Sequence, residues 1–185
     1  MEDEKIIELL FGRSEEALKE IESKYGRLCL GLSENILGNR QDAEECINDA
    51  YLSVWEAIPP AHPDPLCAYI CKIVRNLSLK RLAREHAAKR NSQYTVSMDE
   101  LEECLPATGT IEEEIESKAL ANMIEDFLET LTEENRVIFL RRYWFSDTYE
   151  SIARQTGLSV KNVSVRLVRL RKALKQFLAK EGVNV

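Results

Sequence analysis

The sequence predicts an all-α protein made of two small helical domains that a flexible linker joins. Its 185 residues include only 7 glycines and 5 prolines, and such sparse helix breakers favour long helices over many short strands. Hydrophobic residues form 44% of the chain, which is enough for compact cores, and they recur at helical spacing in most segments. Residues 91–112 are polar and aperiodic and contain Pro106 and Gly109, so they are the predicted linker.

The first three predicted helices lie before residue 59. Residues 4–37 read as two helices that break near Gly12, with Ser14 as the expected N-cap of the second. Gly38 then marks a turn, and Asp42 opens a segment with the spacing of a capping box. The apolar stripe of the third helix consists of Ala43, Ile47, Ala50, Val54 and Ile58.

A proline-rich segment, residues 59–65, ends the third helix because proline cannot continue a helical hydrogen-bond pattern. The fourth predicted helix runs from Leu66 to about Arg90 and carries many basic residues. Its expected buried side consists of Leu66, Ile70, Ile73, Leu77 and Leu82.

The segment after the linker has the pattern of a helix-turn-helix unit. A helix is predicted over residues 111–131, and Thr132 is the expected cap of the next one. Asp147 is then expected to cap a short helix, Gly157 breaks it, and Ser159 caps a long basic helix. A short helix, a glycine-containing turn and a basic second helix are typical of DNA-binding modules. The last helix has an apolar stripe of Val160, Val163, Leu167, Leu170, Leu174 and Phe177.

Charge is strongly segregated along the chain, although the net charge is −7. Residues 1–71 carry a net charge of −9 and residues 99–134 one of −12, whereas residues 72–91 carry +6 and residues 161–180 carry +7. Basic faces on separate modules are expected for contacts with DNA phosphates. The alternative is that each basic segment is an ordinary solvated helix face, and that the last three helices form a bundle without a DNA partner.

If the last helix enters a major groove, the side chains outside its apolar stripe face the DNA, because an α-helix fits that groove. The residues available there are Lys161, Asn162, Ser164, Val165, Arg166, Val168 and Arg169.

Three segments resemble the sigma-70 superfamily, and specifically its compact extracytoplasmic-function sigma factors. Residues 42–55 (DAEECINDAYLSVW) are similar to the helix that docks on RNA polymerase. Residues 68–76 (AYICKIVRN) carry an Arg-Asn pair characteristic of the following family segment, and residues 127–144 (FLETLTEENRVIFLRRYW) with the helix-turn-helix are similar to its C-terminal domain. The resemblance covers nearly the whole chain, in order.

The resemblance implies a sigma region 2-like domain over residues 1–90, a linker over 91–112 and a sigma region 4-like domain over 113–182. It implies binding to core RNA polymerase, through the beta-prime clamp helices and the beta flap, and to the −10 and −35 promoter elements. It also makes an anti-sigma protein a further expected type of partner. The implied function is promoter-specific initiation of transcription with assistance to promoter melting.

Three sets of site residues follow from the resemblance. The −35 element is assigned to the recognition-helix residues given above together with Arg171. The −10 element is assigned to Lys72, Arg75, Asn76, Lys80 and Arg84. The surface for core polymerase is assigned to Glu45, Asn48, Asp49, Ser53 and Glu56.

Other classes of protein fit the sequence less well. A dimeric DNA-binding regulator would leave residues 40–90 unexplained, and a helical protein without a DNA role would leave both basic segments unexplained. We expect neither enzymatic activity nor a cofactor, because the sequence has no Gly-rich phosphate loop and no recognisable set of catalytic residues. Cys67 and Cys71 with His62 could suggest a metal site, but core cysteines are the favoured interpretation. The acidic N-terminus lacks the features of a signal peptide, so we expect a cytoplasmic protein without membrane insertion.

Overall fold

The computed structural model describes residues 1–84, 92–102, 104–105 and 113–183. These residues form helices and turns without a strand, so the predicted all-α class is confirmed. The chain divides into two compact units, Met1–Tyr94 and Thr95–Val185. In chain order the helices are α1 Asp3–Phe11, α2 Glu16–Leu37, α3 Arg40–Ala57, α4 Leu66–Arg84, α5 Gln93–Glu102, α6 Glu113–Thr130, α7 Glu133–Tyr143, α8 Tyr149–Thr156 and α9 Val160–Lys180.

The N-terminal unit is a bundle in which α2, α3 and α4 pack against one another and α1 packs against α2. Gly38 ends α2 in the left-handed conformation (φ 69°), which glycine adopts without the steric cost of a Cβ atom. The core is formed by fully buried aliphatic side chains, among them Ile21, Leu32, Ile36 and Ile70. The tight turn at Gly38 thereby sets α3 against α2 and fixes which face of α3 stays outside.

The buried side of α4 differs from the one expected. Leu66 and Ile70 are buried as predicted, but Val74 and Ser78 complete the face, while Ile73, Leu77 and Leu82 are only half-buried. The Ser78 hydroxyl lies 2.9 Å from that of Ser33 and donates to the Val74 carbonyl at 2.8 Å. This bonding satisfies a polar group inside the core, so a serine occupies a position for which apolar periodicity gives no signal.

The helix caps agree with the sequence at two positions and shift at two others. Thr132 and Ser159 accept backbone hydrogen bonds at the starts of α7 and α9, as predicted. Asn39 caps α3 in place of Asp42, and Thr148 caps α8 in place of Asp147. Both aspartates are engaged in ion pairs instead: Asp42 with Arg81 at 2.8 Å and Asp147 with Arg141 at 3.0 Å. The expected cap by Ser14 is also absent, because α2 begins without a side-chain cap.

In the C-terminal unit α9 packs against α6, α7 and α8. Gly157 adopts a left-handed conformation (φ 73°) between α8 and α9, which gives the turn of a helix-turn-helix. The core beneath it contains Phe127, Ile138, Ile152 and Leu167. This packing buries one side of the N-terminal half of α9 and leaves its other side at the surface of the unit.

Residues 93–102, which the sequence places in an unstructured linker, form α5. Its Leu101 and the following Cys104 are buried in the C-terminal core. Residues 91, 103 and 106–112 of the expected linker lie outside the described residues, as do residues 85–90 at the expected end of α4.

All five cysteines are free thiols, and Cys67 alone among them is not fully buried. Burial raises the pKa of the Cys67 thiol to about 11, so this thiol stays protonated at neutral pH. His62 lies 3.3 Å from Glu4, and no cluster of metal-ligating side chains occurs in the part of the chain that the structure describes. None of the helices in that part is long and apolar enough to cross a membrane.

Candidate nucleic-acid interface

The outward face of α9 carries both cationic and apolar side chains. The opposite face is buried through Val163, Leu167, Leu170, Leu174 and Leu178, which leaves Lys161, Val165, Val168 and Lys172 exposed at spacings of 4, 3 and 4 residues. This periodicity places the four side chains in one row. We call it the α9 outer row.

Three further predicted residues flank the α9 outer row. Asn162 and Arg169 are exposed, and Ser164 is half-buried. Val160, expected in the apolar stripe, is 41% exposed, because it occupies the first residue of α9. Helix N-termini also leave backbone N–H groups unpaired, which favours an anion beside this end of α9.

Arg166 is close to the same surface but is held by α7. Its guanidinium donates to the Glu134 carboxylate at 2.5 Å and to the Asn135 side-chain oxygen at 3.3 Å. The side chain of Arg166 is 27% exposed in this ion pair. A phosphate contact through the same guanidinium nitrogen therefore requires exchange of the Glu134 carboxylate for the phosphate.

The structure gives Arg171 a different role from the expected phosphate contact. Its side chain is only 14% exposed and lies 3.3 Å from the Glu100 carboxylate. It also donates to the Tyr143 hydroxyl at 3.0 Å. Burial would lower the pKa of this guanidinium, but hydrogen bonds to Tyr143 and Tyr149 outweigh burial and raise it. Arg171 is a charged group inside the unit rather than on the α9 outer row.

Glu100 of α5 is the centre of this internal network. Its carboxylate accepts hydrogen bonds from Arg142 at 2.7 and 3.1 Å and from the Tyr149 hydroxyl at 3.1 Å. Arg142 is 2% exposed, and its guanidinium also lies 4.9 Å from the centre of the Tyr149 ring. A buried guanidinium needs such a partner, because an unpaired buried charge is strongly destabilising. Glu100 thus holds α5 on the helix-turn-helix unit.

On α4, four of the five residues assigned to the −10 element form a second cationic row. Lys72, Asn76, Lys80 and Arg84 are all exposed and recur every four residues, a spacing that keeps side chains on neighbouring turns of one helix face. We call them the α4 row.

Arg75, the remaining residue of that assignment, is half-buried rather than exposed. Its guanidinium lies 5.6 Å from the centre of the Tyr94 ring. Burial lowers the pKa of Arg75. Because Arg75 is half-buried against Tyr94, we do not count it in the α4 row.

The surface of α3 carries the residues assigned to the polymerase. Asn48, Asp49 and Glu56 are exposed and Ser53 is half-buried. Glu45 is exposed as well and pairs with Arg81 at 2.9 Å.

Leu52, which the sequence reasoning missed, lies between these polar residues and is 55% exposed. The signal for it was a leucine outside the apolar stripe of an amphipathic helix. A single exposed apolar residue is common, but Leu52 lies among the residues assigned to the polymerase and therefore belongs to the same candidate surface. We call Leu52 with Asn48, Asp49, Ser53 and Glu56 the α3 surface.

Comparison with known families accounts for both units. The model described as "Sigma-70 region 2" matches residues 23–88, and the one described as "Sigma-70, region 4" matches residues 121–174. Together the matches span about two thirds of the chain. The chain belongs to the sigma-70 family.

The two matches confirm the resemblance to the sigma-70 superfamily found in the sequence, and the type of region 4 matched over residues 121–174 confirms the extracytoplasmic-function group. The matches also confirm the predicted function as an RNA polymerase sigma factor. The region 2 match includes α3 and α4, and the region 4 match includes α7, α8 and most of α9. The cationic rows of α4 and α9 thus fall in different sigma-70 regions.

Among solved structures, "Structure of CnrH in complex with the cytosolic domain of CnrY" is similar at 18% identity and a TM-score of 0.43. The alignment covers 96% of this chain and 97% of that one. No curated protein sequence matches the chain significantly.

Proposed function

We propose that this sigma factor reads a promoter with two separate surfaces, the α9 outer row for the −35 element and the α4 row for the −10 element. The observation that carries the proposal is the pair of exposed cationic helix faces, one in each unit, in a chain whose net charge is −7. The acidic remainder of the chain repels DNA, which favours contact through these two faces. The protein itself catalyses no reaction and acts in the cytoplasm, where its polymerase is.

At the −35 element, α9 lies in the major groove of duplex DNA. Side chains near the start of a recognition helix reach base edges, which assigns Ser164, Val165 and Val168 to sequence reading. Phosphates are bound by Lys161 and Lys172, at the two ends of the α9 outer row, and by Arg169 beside it. These three cations position the helix without reading sequence. Arg166 joins them when DNA displaces Glu134, whereas Arg171 is left out of the DNA-binding set.

At the −10 element, the α4 row binds a strand that is leaving the duplex. Lys72, Lys80 and Arg84 neutralise phosphates along the row, and Asn76 lies between them. Asn76 has both donors and acceptors, so it can hydrogen-bond the edge of an extruded base. Unstacking a base costs a few kcal/mol, and capture of that base by the α4 row offsets part of this cost.

The α3 surface binds core RNA polymerase through its beta-prime clamp helices, and the C-terminal unit faces the beta flap. An apolar residue at the centre of a polar rim is the usual arrangement at such contacts, and Leu52 has that position among Asn48, Ser53 and Glu56. An anti-sigma protein that covers the α3 surface would keep the factor from polymerase.

Reconstituted transcription tests whether the α9 outer row binds the −35 element and the α4 row binds the −10 element. Purified core polymerase and the full chain are given a promoter found by mapping transcripts after overexpression. The double variant Lys161→Ala, Arg169→Ala should lower promoter affinity. It should also make that affinity less dependent on salt concentration, because fewer phosphate contacts release fewer counterions. Asn76→Ala should leave duplex binding intact but reduce permanganate reactivity of the opened −10 bases.

The matched control is Lys5→Ala, which removes an exposed cation of α1 that belongs to neither row. It should leave both measurements unchanged. Wild-type promoter affinity and salt dependence in the Lys161 and Arg169 double variant would contradict the assignment of α9 to DNA. Binding of the free chain to a palindromic site without polymerase would instead indicate a dimeric regulator.

A further inference from the structure

We infer that Val165 and Val168 read the sequence of the −35 element by contacting the 5-methyl groups of two thymines. This inference rests on the proposed function, since it requires α9 to lie in a major groove. It adds the chemistry of recognition: part of the discrimination comes from apolar contact rather than from hydrogen bonds.

The exposure of the two valines is unusual for their position. Each is 40% exposed, and they lie side by side at a spacing of three residues, directly opposite the buried stripe of α9. Exposed apolar side chains are common singly, but these two form the middle of a row in an otherwise polar and basic surface. Nothing in the C-terminal unit covers them among the described residues.

The positive charges around the valines favour DNA as the binding partner. Lys161 and Lys172 border them along the row, and Arg169 is exposed beside Val168. A protein partner with an apolar patch would have to desolvate these cations, whereas a DNA groove places phosphates on both of its edges. The charge pattern therefore fits a polyanion that has an apolar group between two rows of phosphates.

The major groove offers one such apolar group. Guanine, cytosine and adenine present hydrogen-bond donors and acceptors there, and thymine adds a C5-methyl group. A valine pressed against a polar base edge would displace water without replacing its hydrogen bonds, which costs free energy. Against a thymine methyl the same side chain buries apolar surface on both partners. Valine at these two positions therefore favours thymine.

The spacing of the valines constrains the spacing of the thymines. Cβ atoms three residues apart on a helix are about 5–6 Å from each other, and successive bases rise by about 3.4 Å. The two methyl groups should therefore belong to base pairs one or two steps apart, on the same strand or on opposite strands.

The experiment first identifies the element and then removes single methyl groups from it. Polymerase holoenzyme containing the full chain selects from a library of promoter duplexes randomised upstream of a fixed −10 region. Each thymine of the selected upstream element is then replaced by deoxyuridine, which lacks only the methyl group. Two of these replacements, one or two steps apart, should each weaken holoenzyme binding by about fourfold, the loss expected for one buried methyl-sized group.

Two protein variants connect the methyl groups to the valines. In Val165→Ala and in Val168→Ala, one of the two deoxyuridine replacements should lose its effect, because the contact is already absent. Val137→Ala is the matched control: Val137 is 39% exposed but lies on α7, and both replacements should keep their effect in it.

The outcomes separate the inference from the function on which it rests. A selected upstream element in which deoxyuridine has no effect, or the same effect in wild type and in both α9 variants, overturns the thymine contacts alone. Weaker binding of the Val165 and Val168 variants to core polymerase without DNA would assign the valines to a protein interface and also overturn them. A library that yields no upstream preference contradicts the proposed function and this inference together.

Discussion

Arg169 and Arg171 are only two residues apart on α9, yet they lie in different surroundings. Arg169 is exposed beside the α9 outer row, whereas Arg171 is paired with Glu100 inside the unit. Arg169→Ala should weaken promoter binding and lower the slope of log affinity against log salt concentration by about 1. The free energy of unfolding should stay within about 0.5 kcal/mol of wild type.

Arg171→Ala should show the reverse pattern. Removing a charged partner from Glu100 and Tyr143 should lower the free energy of unfolding by about 2 kcal/mol, with an unchanged salt slope of promoter binding. Chemical denaturation and salt titration on both variants measure the two quantities. An unchanged stability of Arg171→Ala combined with a lower salt slope would place that side chain on the DNA after all.

Glu100 is the second residue with a decisive role. Glu100→Ala leaves Arg142 buried without its carboxylate, and breaking a buried pair costs about 3 kcal/mol or more. Denaturation followed in the C-terminal unit, for example by the fluorescence of Trp144, should show this loss. The neighbouring Asp99 is exposed, so Asp99→Ala is the control and should unfold as wild type does.

Residue roles were predictable from the sequence only where local spacing decides them. The exposure of Lys161, Val165 and Val168 follows from the periodicity of the apolar stripe. The pairing of Arg171 with Glu100 does not, because it joins residues 71 positions apart and any basic residue near the stripe has the same local signature.

At the scale of the element, α3 offers a direct test of polymerase binding. Leu52→Ala should weaken binding of the chain to core polymerase by about fivefold or more, because truncating a central interface side chain costs about 1 kcal/mol or more. Competition binding against a labelled wild-type chain measures this. Phe11→Ala is the matched control, since Phe11 is another exposed apolar residue of the N-terminal unit (44% exposed) and lies on α1. Equal affinities of the two variants would remove Leu52 from the interface.

Helix α5 shows where element prediction from sequence fails. In residues 93–102 only Tyr94, Met98 and Leu101 fall at helical spacing, and so short a stripe in a polar segment does not by itself indicate an amphipathic helix. The helix is held instead by tertiary contacts, through Glu100 and the burial of Leu101. By contrast α9 was predictable, because its stripe, its Ser159 cap and the Gly157 turn all indicate the same element.

At the scale of the whole molecule, the charge segregation was the most informative feature of the sequence. Two basic segments separated by an acidic one indicated two DNA-contacting surfaces, and the two cationic rows lie in different units. A tethered pair of weak sites binds more tightly than either alone, because the second contact forms at a high effective concentration. The sequence could not say which cations of each segment turn inward, since that depends on packing between helices distant in the chain.

The attachment of α5 also decides where this protein can be cut into autonomous pieces. A C-terminal fragment trimmed to residue 113, the boundary suggested by composition, would lose Glu100, Leu101 and Cys104 together, leaving a buried guanidinium uncompensated and a gap in its interior. A fragment that starts at residue 95 retains all three and should melt at a distinctly higher temperature than the shorter one. Equal melting temperatures would mean that α5 is dispensable for the helix-turn-helix unit.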